Sequence, residues 1–73
     1  MENNKSGFSN VLSEYQDMEK GVRSQVIFDG KKYGCNFYNQ NKLIKTEYYP
    51  GKSESWAESA AENYVLGVKQ LDG

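Results

Sequence analysis

The stretch "SNVLSEYQDMEKG", residues 9–21, decides the fold class. Ser9 is a good N-cap, because its hydroxyl accepts a hydrogen bond from a backbone N–H of the first helical turn. After it, Val11, Leu12, Tyr15 and Met18 recur at i, i+1, i+4 and i+7, the spacing of one helix face. Gly21 then offers the C′ residue at which helices stop. The spacing predicts a first helix over 9–20. The polar residues before it, "MENNKSGF" (1–8), read as a disordered N-terminal segment.

Residues 22–49 have strand composition. "VRSQVIFDGKKYGCNFYNQNKLIKTEYY" is rich in Val, Ile, Phe, Tyr and Thr, which suit a pleated, half-buried surface. Asp29-Gly30 is a hairpin signal of type I′, and Asn39-Gln40-Asn41 is a second turn signal. Three strands result, 22–28, 31–38 and 42–48. Connections this short allow only antiparallel pairing. Pro50-Gly51 ends the sheet.

A second helix begins near Ser53 or Ser55, and Ser55 with Glu58 has capping-box spacing. Its apolar stripe is Ala57, Ala60, Ala61, Tyr64 and Val68, with small residues that admit a closely packed sheet. Gly67 weakens the last turn. The expected fold is α+β: an αβββα two-layer sandwich, a three-stranded antiparallel sheet with two helices packed on one face. One domain over 9–71 is expected, with 72–73 as a tail and Gln70–Gly73 reading as a linker to further sequence.

Composition narrows the chemistry. With 73 residues the chain supports one small, marginal core, filled by three Phe, six Tyr and one Trp. There is no His and one Cys, Cys35. An internal disulfide is therefore excluded, and an intracellular, reducing location is expected. The soft ligands of a zinc site and the usual base for a Ser or Cys nucleophile are missing. No metal, no cofactor and no enzyme activity are expected, and Cys35 reads as a small core or sheet residue. No apolar run is long enough to span a membrane. Nine basic and ten acidic side chains leave a net charge of -1, so a nucleic-acid footprint would have to be local.

The order αβββα, opened by "NVLSEYQD" and closed by "KSESWAESAAENYVL", resembles the double-stranded RNA-binding domain. The resemblance covers about 9–71. Leu12, Glu14 and Tyr15 match the family's first helix; Ser53, Ala57, Ala61 and Leu66 match its second. It implies a domain that reads the shape of A-form RNA across two minor grooves. Its first contact region would use Glu14, with Asp17 where the family has Gln. The second, a Gly-Pro-x-His loop, has no counterpart; Lys31 and Lys32 follow a tight turn instead. The third, three Lys on the second helix, reads Glu54, Ser55 and Glu58, with Lys52 just before. Carboxylates in that position repel phosphate rather than release its counterions.

The resemblance therefore implies a member without the basic clamp. The expected function is a non-catalytic module of an RNA-handling protein or complex, acting by protein contact or self-association. The alternative is weak, shape-specific binding of duplex RNA through Glu14, Lys31, Lys32 and Lys52. Two interfaces are candidates. The last strand, "KLIKTEYY", reads as an exposed sheet edge carrying Leu43, Ile44 and Tyr48, though Lys42 and Lys45 suit a blocked edge equally well. On the second helix, Trp56 and Leu66 lie off the apolar stripe. They could anchor a partner, or Trp56 could close the rim of the core.

Overall fold

The computed structural model describes residues 10–71. The N-terminal segment read as disordered and the 72–73 tail lie outside the described residues. The elements run β1 (Asn10–Asp17), β2 (Val22–Phe28), β3 (Tyr33–Asn39), β4 (Lys42–Tyr49) and α1 (Glu54–Leu66). The four strands form one antiparallel sheet in the order β1-β2-β3-β4. The expected three-stranded sheet with two helices is thus corrected: the predicted first helix is strand β1, and one helix packs on a four-stranded sheet.

The reason lies in which side chains β1 buries. Val11, Leu12 and Met18, whose spacing suggested a helix face, are 52%, 44% and 81% exposed. Ser13, Tyr15 and Asp17, two apart, are the half-buried set. Tyr15 packs against the core, and both Ser13 and Tyr15 hydrogen-bond Glu58 on α1. Asp17 then builds the β1–β2 turn: its Oδ1 accepts from the N–H groups of Glu19 and Lys20, and its carbonyl accepts from Gly21. Gly21 has φ 73°, a conformation that closes this turn as readily as it would cap a helix.

The hairpin signals were also redistributed. The β3–β4 turn at Gln40-Asn41 has φ 54° and 67°, both positive as type I′ requires. Asp29-Gly30 instead opens a four-residue connection, 29–32, held by Asp29 Oδ1 accepting from the N–H groups of Lys31 and Lys32. Those contacts hold the Asp29 carboxyl well below the usual range, led by the Lys32 ammonium.

Alternation sorts the sheet into two faces. The helix side carries Tyr15, Ser24, Val26, Cys35, Phe37, Glu47 and Tyr49. Val26, Cys35 and Phe37 form the core with Ala57 and Ala61, all 0% exposed. The Ala pair admits close approach: Ser24 Oγ donates to the Ala61 carbonyl at 2.8 Å. Burial pushes the Cys35 thiol up to about 11, and its Sγ donates to the Ala57 carbonyl. α1 begins at N-cap Ser53, whose hydroxyl accepts from the Trp56 N–H, so the Ser55 capping box is not formed. Gly67, at φ 87°, is a left-handed cap rather than a weak turn: its N–H bonds back to the helix, and so does that of Val68. Lys20 Nζ donates to the Val65 carbonyl and adds positive charge at this end.

Candidate interaction surface

The helix is set to one side of the sheet. It packs on β1, β2 and β3 and leaves β4 largely uncovered. The cause is a clasp between α1 and the first strand. Glu58 accepts from Ser13 Oγ at 2.6 Å and from the Tyr15 hydroxyl. Burial opposes the Glu58 charge, yet these bonds hold its carboxyl below its ordinary value. The bond to Glu58, with burial, pushes the Tyr15 phenol up to about 12. The row Glu54, Glu58 and Glu62 therefore divides: Glu58 turns inward as a structural acceptor, Glu54 sits in the first turn, and Glu62 is exposed.

Between α1 and β4 runs a groove of about 480 Å³ lined by Tyr49, Trp56, Ser59, Ala60, Asn63 and Lys69. Positions 56, 59, 60 and 63 share one helical stripe by their spacing. Trp56 is 52% exposed, with the Lys52 ammonium 4.5 Å from its ring centre. Lys69 closes the far wall by pairing Glu47 Oε1 at 3.2 Å. Burial disfavours the Glu47 charge, but hydrogen bonds from Tyr49 and Lys69 keep its carboxyl below the ordinary range.

β4 itself is a terminal strand of the sheet. Leu43 and Ile44 are about half exposed, and the β3–β4 register shifts beside them, so Ile44 is an extra residue in the ladder. Tyr48 lies on the face away from the helix, its ring over Gly34. Leu66 is exposed near the end of α1. Of the interface candidates, the structure thus places Leu43, Ile44 and Tyr48 on one edge and Trp56 on the groove beside it, while Leu66 is not a groove residue.

The candidate RNA contacts are not assembled as the resemblance implied. Glu14 is on a strand, not a helix, and its carboxylate pairs with Arg23 at 3.2 Å on the face away from α1. Lys31, Lys32 and Lys52 lie at one end of the sheet, where the β2–β3 connection and the β4–α1 connection meet. Lys32 pairs with Asp29 at 2.6 Å and lies over Tyr48.

Sequence reasoning missed a polar network on the sheet face opposite α1. Gln25 Oε1 accepts from Asn36 Nδ2 and the Tyr38 hydroxyl, Thr46 Oγ1 donates to Asn36, and Arg23 stacks 4.0 Å above Tyr38. Only the cross-strand register, which no single strand displays, joins these residues. Among the described residues there is no cluster that could hold a metal ion, and no helix long and apolar enough to cross a membrane. Comparison with family models, curated proteins and solved structures gave no match.

Proposed function

We propose that this chain is a non-catalytic interaction module that engages protein through β4 and the adjoining α1–β4 groove. The observation that carries the reading is the lateral offset of the helix. It leaves β4 as an open edge strand and, beside it on the helix face, a groove with a half-exposed Trp56. Edge strands offer backbone donors and acceptors, and aromatic side chains are the commonest interface anchors. The lone free thiol agrees with an intracellular setting. Of the candidate RNA cations, Lys32 pairs with Asp29 and Lys52 lies over the Trp56 ring, and the Glu14 carboxylate is taken by Arg23. That weighs against the RNA alternative.

The test is site-specific photocrosslinking in cells, with a benzophenone amino acid at position 44, 56 or 62. Protein adducts from positions 44 and 56 that survive nuclease, with few from 62, are the expected result. Adducts to RNA, or equal labelling from all three positions, would sink the reading.

A further inference from the structure

The β4 edge is complementary to itself. Its outer side has no partner strand among the described residues, so alternate N–H and C=O groups point away from the sheet. Consider a second β4 laid antiparallel against it with Thr46 opposite Thr46. Lys45, which pairs with Glu47 of its own strand at 3.6 Å, then also faces Glu47 of the other copy, twice, because both residues lie on the helix side. Ile44 faces Tyr48, also twice, on the opposite side. Opposite charges and an aromatic–β-branched pair directly across are the favoured cross-strand combinations.

Neighbouring registers that keep the same faces are worse. A shift one way sets Lys45 against Lys45, and a shift the other way sets Glu47 against Glu47. Like charges directly opposite destabilise a sheet. The central register is thus selected by attraction and by the cost of its neighbours. Among the described residues α1 leaves the helix side of β4 largely uncovered, with Lys69 reaching Glu47 there.

We infer that two copies of this chain join through their β4 edges, antiparallel about a two-fold axis at Thr46, making one continuous sheet of both. This rests on the reading of β4 as an interaction edge and names its occupant. Such an isologous contact closes on itself and does not propagate into fibres. The extra residue at Ile44 limits the new ladder to about 44–48. That is well under the roughly 800 Å² per partner of a standard interface, so association is concentration-dependent.

Sedimentation of the full chain from about 10 μM to about 1 mM spans the range for a weak complex. The expected mass climbs from 8.3 kDa toward twice that value. Lys45→Glu places carboxylates opposite each other and keeps the chain monomeric. The double variant Lys45→Glu, Glu47→Lys restores crossed pairs and dimerisation. Thr46→Cys forms an intermolecular disulfide on mild oxidation, because directly opposed residues sit about 4.5–5.5 Å apart between Cα atoms. Gln16→Cys, on the other edge, does not. Cys35 is buried and stays out of this chemistry.

A monomer at every concentration overturns the inference, as does crosslinking at position 16 but not at 46. Should Lys45→Glu fail to fold by circular dichroism, the disulfide of the Thr46→Cys variant decides alone. A monomer that still yields adducts to other proteins from positions 44 and 56 ends the dimer and spares the interaction reading. A monomer without such adducts ends both.

Discussion

Removing the Glu58 carboxylate tests the fold at the point where sequence and structure part. Glu58 lies 45 residues from Ser13 and 43 from Tyr15, and it accepts a hydrogen bond from each. A bond to a charged acceptor contributes roughly 1.5–3 kcal/mol. Both are part-buried, so water recovers some of the loss and each is worth about 1 kcal/mol. Glu58→Ala should then cost about 2 kcal/mol, and Tyr15→Phe about 1 kcal/mol. In a domain this size about 2 kcal/mol lowers Tm by roughly 8–16 °C. The decisive quantity is the coupling. Urea unfolding of both single variants and the double at pH 7 should give an interaction of about 1 kcal/mol between Tyr15 and Glu58, with m unchanged. Strict additivity, within about 0.3 kcal/mol, would falsify the docking of β1 under α1.

Gly34→Ala should destabilise by about 1–3 kcal/mol, since a Cβ there runs into the Glu47 carbonyl oxygen. Tyr48→Ala should not rescue it, because the obstructing atom is backbone; rescue in a denaturation series would count against the placement. Glu58 and Glu47 both have folded pKa values below their unfolded ones. Their stabilisation is therefore complete above about pH 4.5 and is lost as pH falls through the folded values. Glu58→Gln should flatten that acid limb of Tm against pH. The Tyr15 phenol, raised to about 12, carries the opposite sign. Its contribution is full below about pH 10 and fades as pH rises through about 12, so ultraviolet titration should show several late phenols, Tyr49 and Tyr64 being raised by burial as well, and Tyr15→Phe should remove the one near pH 12. A duplex RNA of about 20 base pairs, followed by anisotropy, should show no saturable binding at about 50 mM salt; tight binding that collapses by about 200 mM would reinstate the RNA alternative.

β2 and β3 were legible because their apolar residues are the ones that pack, and β4 was legible from the turn signals that bound it, although Leu43 and Ile44 stay about half exposed. β2 spans the predicted 22–28, and β4 runs one residue past the predicted 42–48. The second predicted helix, now α1, was legible from the Ala spacing, and Ala57 and Ala61 are its buried contacts. β1 was not legible, for a physical reason. Its inward residues are Ser13, Tyr15 and Asp17, so only one of three is bulky and apolar, and their period-2 signal is weak. The stronger helical spacing came from Val11, Leu12 and Met18, which the fold leaves outside. What makes Ser13 and Tyr15 suitable for a core-facing strand is a carboxylate supplied by the helix. Local propensity carries no trace of a partner that distant. Of the candidate site, the edge and Trp56 were readable, but the groove joining them depends on where the helix lies across the sheet.

That position follows from dimensions and from one contact. A helix is about 10–12 Å wide with its side chains, and strands are about 4.8 Å apart. One helix therefore covers two or three strands, and a four-stranded sheet with a single helix must leave one strand open. The Glu58 clasp to Ser13 and Tyr15 draws α1 toward β1, at the far edge from β4. The uncovered strand is consequently β4, whose helix-side residues Lys45 and Glu47 stay partly exposed. The Glu58 carboxylate thus does two things: it ties the helix to β1, and it leaves the β4 edge uncovered by the helix.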